Sequence, residues 1–328
     1  MNENPTVTYI KDGQENTIKH FFKYFFERDV VNIKRDKILN KTFYKFKDIE
    51  YIHIKNFEFS SKDSICLELL NKNTTIILEN CIFNAPELTI KDYKKIGENN
   101  NNYLQIVNSI FKKECELNIN NLKNVDIVLS EEGENIELQT GCCENISITC
   151  SSKLKKLSNF KTTKIHIKNL ISKNLKYFYS DSYALLLENS KIENYNLYNN
   201  EIHLINSSIN TKSDLIFIYL KKLILENSSI TSSKSILSPY LEELKFNDSY
   251  EDTILDTSSY LEAGENIVIS TSAYHKKNYK NNGAIIVNKE TIEKDSYLLK
   301  NKLISILKEL NNEKLEKPKI KKRVNNNE

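Results

Sequence analysis

The chain has no tryptophan and only 6 glycines among its 328 residues. The missing tryptophans remove the strongest stacking platform for sugars, leaving 18 tyrosines to serve instead. Scarce glycine goes with the absence of any Gly-rich phosphate loop, and neither GxSxG nor HExxH occurs. There is no excess of one charge: 47 basic and 44 acidic residues leave +3, which excludes a chain-wide electrostatic grip on nucleic acid. No stretch approaches 18 uninterrupted apolar residues, so no membrane span is expected. The start MNENPTVTYIKDG lacks a basic segment, apolar core and small-residue cleavage site, so no secretory signal is expected. The six cysteines (Cys66, Cys81, Cys115, Cys142, Cys143 and Cys150) form no CxxC pair and no zinc spacing. They read as reduced, mostly buried thiols of a cytoplasmic protein that carries no metal and no cofactor.

What is abundant is Asn, Lys and Ile, the signature of an AT-rich genome. Hydrophobic residues make up 39% and charged residues 28%, enough for a real core. The apolar residues also repeat. Aligned on the Asn that closes each apolar alternation, the segments are 52-IHIKN-56, 76-IILEN-80, 104-LQIVN-108, 165-IHIKN-169, 185-LLLEN-189, 202-IHLIN-206, 223-LILEN-227 and 243-ELKFN-247. The later spacings are 20, 17, 21 and 20 residues and the earlier ones 24 and 28. Between Asn108 and Asn169 the pattern blurs, and 142-CCEN-145 is the best match there. A period near 20 with insertions is the mark of a solenoid. Within each unit the alternation is that of a strand. The Asn tolerates the left-handed backbone conformation that a sharp corner needs. Stacked coils would set these amides above one another, bonding along the stack.

This pattern, carried by Asn56, Asn80, Asn108, Asn169, Asn189, Asn206 and Asn227, resembles the right-handed parallel β-helix of the pectate-lyase-like superfamily, over roughly residues 51 to 270. The resemblance implies an all-β solenoid of about ten coils. The competing architecture is a leucine-rich-repeat solenoid, since 220-LKKLIL-225 and 241-LEELKF-246 fit LxxLxL.

A solenoid needs caps. Residues 1–50 are read as the N-terminal cap, with an aromatic amphipathic helix over 15-ENTIKHFFKYFFER-28 (Ile18, Phe21, Phe22, Phe25, Phe26). The solenoid covers 51–288. A second amphipathic helix is expected over 289–317, with Ile292, Leu299, Leu303, Ile306 and Leu310 as its stripe and Asn288 as its N-cap. It caps the last coil, or alternatively pairs with another chain as a homo-oligomer contact. The tail 318–328 reads as basic and disordered, and Lys317, Lys319, Lys321, Lys322 and Arg323 are its nucleic-acid candidates.

The outward column three residues before each Asn runs His53, Ile77, Gln105, His166, Leu186, His203, Ile224, Leu244. Apolar residues on a face that should be wet mark a partner site, so Ile77, His166, Leu186, His203, Ile224 and Leu244 are the partner-binding candidates. Lys55–Glu79 and Lys168–Glu188 should pair between coils. The carboxylates Asp181, Asp214, Asp248, Asp252 and Asp256 recur at no adjacent coil position with a basic partner, so no catalytic residue is named. The leading expectation is a non-enzymatic intracellular scaffold or inhibitor that docks a protein on the side of the solenoid. A glycan-binding or glycan-cleaving β-helix, such as a phage tail component, is the alternative. Nucleic-acid association through the tail and 34-KRDK-37 is the third.

Overall fold

The computed structural model describes residues 5–19, 31–71, 73–92, 101–171, 175, 177–193, 195–217, 219–238, 240–247, 259–264, 267–270, 279–280 and 284–287. Every regular element among them is a strand. The strands stack as a parallel β-solenoid of about nine turns, the architecture of the right-handed parallel β-helix that the sequence resembles. A leucine-rich coil supplies one strand and then a helix. Here a coil supplies up to three strands, and the described residues contain no helix.

One sheet, the main sheet, runs the length of the solenoid. Ile52, Ile76, Leu104, Val125, Ile146, Ile165, Leu185, Ile202, Leu223 and Leu244 lie in successive parallel register. Their separations range from 17 residues (Leu185 to Ile202) to 28 (Ile76 to Leu104). From the rung of Ile52 to that of Leu223, each turns two apolar side chains inward, such as Leu185 with Leu187 and Ile202 with Leu204, and all four are at most 1% exposed. Burying one such side chain contributes about 1.5–3 kcal/mol. The other two faces fill the interior from their own sides. Phe59, Phe83 and Phe111 stack in line with ring centroids 5.3 and 5.1 Å apart. Ile65, Leu67, Leu88, Ile90, Leu117 and Ile119 enter from the third face.

The corner after the main strand has a common geometry. Asn56, Asn80, Asn108, Asn169, Asn189, Asn206 and Asn227 all have φ between 47° and 58°. This is the left-handed conformation, which costs most residues about 1–2 kcal/mol. The Asn side chains lie outward, and Asn206 donates to the Asn189 amide oxygen at 3.3 Å. The internal ladder belongs to the next residue instead. Ser190 N–H donates to Ser207 Oγ (3.0 Å), Ser207 N–H to Ser228 Oγ (3.0 Å) and Ser228 N–H to Ser259 Oγ (3.1 Å). Leu170 N–H enters the series on Ser190 Oγ (3.0 Å), and Cys81 N–H uses Ser109 Oγ (3.2 Å). The hydroxyls of Ser109, Ser190, Ser207 and Ser228 each donate to the carbonyl two residues earlier in their own coil, as Ser207 does to Ile205 at 2.7 Å, and Ser259 Oγ donates to the Leu225 carbonyl at 3.3 Å. The left-handed residue turns the following N–H away from any backbone acceptor, and a buried serine of the next coil supplies one.

Two coils depart from the rule. The rungs at Val125 and Ile146 have no left-handed Asn after them, and the bend moves to the corner before the main strand. There Asn121, Cys142 and Lys161 have φ of 61°, 55° and 51°. Asn145 of 142-CCEN-145 is the first residue of a strand, Asn145–Thr149, and not a corner.

The N-terminal end is closed by strands. β1 (Thr6–Lys11) and β2 (Gln14–Lys19) form an antiparallel hairpin, and β1 lies antiparallel on β5 (Tyr51–Lys55), the first main strand. β3 (Val31–Asp36) covers β4 (Lys41–Phe46) in the same way, and β4 opens the third face, so parallel pairing begins inside the segment read as cap. The helix expected over 15–28 is therefore corrected over 15–19, which are in β2. Its remaining residues lie outside the described ones, as do 289–328. The reason is the dipeptide Asp12-Gly13, with φ of 52° and 70°. Two consecutive positive φ values make the tight turn whose twist matches a hairpin, and this outweighs the helical spacing of Ile18.

The corner makes a specific demand on position 189. Asn189→Ala should lower the unfolding free energy in urea by about 1–2 kcal/mol. Asn189→Gly, free of that steric cost, should lose about half as much. Equal losses would contradict the assignment of the corner.

Candidate functional site

The outward side of the main sheet carries three columns of side chains, and the strand alternation places them. His53, Ile77, His166, Leu186, His203 and Ile224 share the middle column with Gln105, Asp126 and Ser147. Leu244 does not belong there. It pairs with Leu223, is 1% exposed, and leaves Lys245 opposite Ile224. Counting back from Asn247 places this strand one residue out of register, and a one-residue slip exchanges the two faces.

Three histidines build the same unit. His53 Nε2 lies 2.8 Å from Glu79, His166 Nε2 2.9 Å from Glu188 and His203 Nε2 2.9 Å from Glu226, each on the next coil. In each unit Ile77, Leu186 or Ile224 stands directly beside the imidazole in that next coil. The expected pairs are present, with Lys55 Nζ 3.2 Å from Glu79 and Lys168 Nζ 3.1 Å from Glu188. At the far end Glu243 is held by Lys222 (3.2 Å) and Lys245.

These contacts set the protonation of the face. Hydrogen bonding from Lys168, then from His166, holds the Glu188 carboxyl below the usual carboxylate range despite some desolvation. Lys245 and Lys222 do the same for Glu243. On the third face burial pushes Glu87 up, but hydrogen bonds from Lys41, Thr89 and Ser64 outweigh it and the net shift is down. A general acid needs a carboxyl pushed up toward the working pH, and these three move the other way. Asp214 accepts the Ser235 N–H at 3.2 Å, and Asp181 sits beside Tyr179. Asp248, Asp252 and Asp256 lie outside the described residues, as do Lys317, Lys319, Lys321, Lys322 and Arg323. Among the described residues no group of three or more His, Cys, Asp or Glu is placed to hold a metal ion.

The middle of the sheet face is hollow. A trough of about 670 Å³ runs from Tyr103 and Asn124 past Ser147, His166 and Leu186 to His203 and Ile224. It spans seven rungs, about 29 Å at strand spacing. Small residues make it: Asn145, Ser147 and Ala184 occupy positions that carry lysine, histidine or glutamate in neighbouring coils. Asn145 donates to Asn124 at 2.9 Å and Gln105 to Asp126 at 3.2 Å, so the polar floor is internally bonded. Leu186 and Ile224 stand half-buried among the paired charges.

A second feature escaped the reading of the sequence. Phe160, Tyr179, Tyr198, Tyr219 and Tyr240 follow one another at 19, 19, 21 and 21 residues, one per coil. Tyr198, Tyr219 and Tyr240 sit at the corner before the main strand, each three residues ahead of it, while Phe160 and Tyr179 lie within the strands Leu154–Lys168 and Tyr177–Glu188. Phe160, Tyr219 and Tyr240 are among the most exposed large apolar side chains described. Their spacing is the coil period, but it is hidden among 18 tyrosines until the coils are aligned.

No family model matches the chain, and neither a curated protein nor a solved structure matches it. No helix among the described residues is long and apolar enough to cross a membrane.

All six cysteines are unpaired. Burial pushes the Cys66 and Cys143 thiols up to about 11 and those of Cys81 and Cys115 up to about 12, and it raises Cys150 as well. Only Cys142 is partly exposed. Since the thiolate is the reactive form, Ellman's reagent at pH 8 should label Cys142 rapidly and the other five only on unfolding. Rapid labelling of several thiols in the folded protein would contradict this placement.

Proposed function

We propose that the protein is a non-enzymatic scaffold or inhibitor that docks another protein along the trough of the main sheet. The observation that carries this reading is the trough itself, which sets the half-buried Leu186 and Ile224 within a frame of polar side chains hydrogen-bonded to one another. Apolar centres rimmed by satisfied polar groups are the anatomy of protein interfaces. The paired charges leave no strong net charge on the face to favour a polyanion. The lowered carboxylates disfavour an acid–base glycosidase, which needs one carboxyl kept protonated. Six unpaired thiols suit the cytoplasm, where disulfides are rare.

Tagged protein retrieved from its native cells, with and without nuclease, should bring down a stoichiometric protein partner. Ala184→Arg fills the trough with an exposed side chain and should abolish that capture, while stability stays within about 0.5 kcal/mol. Capture that needs nucleic acid, or that Ala184→Arg leaves intact, would overturn the reading.

A further inference from the structure

We infer that residues 292–310 of this chain lie as a helix along the trough and cover its Leu186–Ile224 end, so that a partner must displace them. The inference rests on reading the trough as a docking site and gives that site a regulator within the same chain. These residues lie outside the described ones, and the path of the chain leads them to the trough. Ala284–Val287 pairs in parallel with Ile267–Ser270, and that strand pairs with Ile236–Ser238 in the coil of Ile224. Val287 therefore closes its face two coils beyond Ile224. From that face, two earlier coils return to the main sheet in five or six residues, Ser238 to Glu243 and Ile216 to Lys222. The same step from Val287 brings residue 292 or 293 to the main-sheet side, three rungs beyond Ile224.

The stripe Ile292, Leu299, Leu303, Ile306 and Leu310 recurs at helical spacing. At about 1.5 Å per residue it is about 27 Å long. Three rungs are about 14 Å, so a helix running back along the main sheet reaches Ile224 near Leu303. Ile306 then falls near His203 and Leu310 near Leu186, the next two residues of the column. The helix, about 10–12 Å wide, fits the roughly 13 Å length of a five-residue strand such as Lys222–Glu226. The charges agree with this placement. In a right-handed coil the main strands run from the Lys222 side to the Glu226 side, which fixes the two flanks of the helix. Lys300 then turns toward Glu226, and Glu309 and Glu313 turn toward Lys164. Lys302 falls between Lys222 and Glu201, and the apolar Leu307 meets Ile205. A helix continuing outward from the last coil would leave the stripe in water, whereas the trough offers it Leu186 and Ile224.

The test is cross-linking of the full chain with bismaleimidoethane, after Cys142→Ser removes the one partly exposed thiol. Leu186→Cys with Leu310→Cys should join within one chain at least about tenfold faster than Ile77→Cys with Leu310→Cys. Ile77 stands in the same column as Leu186 but five rungs away, about 24 Å. Leu303→Asp should slow the first reaction about tenfold through loss of an apolar anchor. Lys308→Asp, on the opposite side of the helix, should leave it unchanged. Equal rates for the two pairs, or joining only between chains, would overturn the inference. So would a first reaction indifferent to Leu303→Asp, or slowed as much by Lys308→Asp. Ala184→Arg and partner capture judge the docking reading separately. If the two pairs react alike while Ala184→Arg still abolishes capture, the inference falls and the docking reading stands. If the pairs differ and no partner is captured even with Leu303→Asp, the contact stands and the docking reading falls.

Discussion

The fold depends on how a coil turns without losing its ladder of backbone hydrogen bonds. A parallel stack allows no strand to leave its neighbours, yet seven of the coils bend sharply at an Asn after the main strand. The left-handed Asn makes the bend and reverses the direction of the next N–H. A buried serine in the following coil takes up that N–H, and its own proton returns to a carbonyl two residues back. Neither residue suffices alone. Asn without the serine leaves a buried donor unpaired, which costs about 1–3 kcal/mol. Serine without the bend has no orphan donor to serve.

This corner also positions the surface. Because successive corners superpose, every main strand keeps the same register, and side chains at equivalent positions line up in columns. Columns turn local sequence choices into extended features. Three repeats of an imidazole followed by an apolar residue and a carboxylate become a patterned face. Short side chains at Asn145, Ser147 and Ala184 become a trough, and the aromatic residues Phe160, Tyr179, Tyr198 and Tyr219 come into ring contact from coil to coil. Where the bend shifts to the opposite corner, at Asn121, Cys142 and Lys161, the main strands still stack. The trough therefore crosses that region unbroken.

What the sequence made legible follows from the same physics. Asn is one of the few residues suited to the left-handed corner, so seven corners announced themselves, and the solenoid with them. The corner before the main strand carried no uniform mark, since of Asn121, Cys142 and Lys161 only the first is a residue from which a left-handed backbone is read. Counting back from Asn247 misplaced Leu244, although the alternation of Leu244 with Phe246 pointed to the register the structure adopts. At the N-terminus the helical spacing of Ile18 and the phenylalanines drew attention from Asp12-Gly13, the stronger local signal. The serine after Asn108, Asn189, Asn206 and Asn227 was visible as a small residue, but its role needs the neighbouring coil in place. The histidine partners and the aromatic contacts likewise exist only between coils.

The most direct test is amide hydrogen exchange at Ser190 in the native protein and in Ser207→Ala. If the corner works as described, Ser190 N–H is protected in the native protein. It should then exchange at least about tenfold faster once its acceptor is gone, as expected for a lost hydrogen bond of about 1.4 kcal/mol. Lys191 N–H, bonded at 2.7 Å to the Leu170 carbonyl of the preceding coil, should keep its protection. A Ser190 amide that exchanges freely in the native protein, or that is indifferent to Ser207→Ala, would contradict the corner on which the rest of the structure is built.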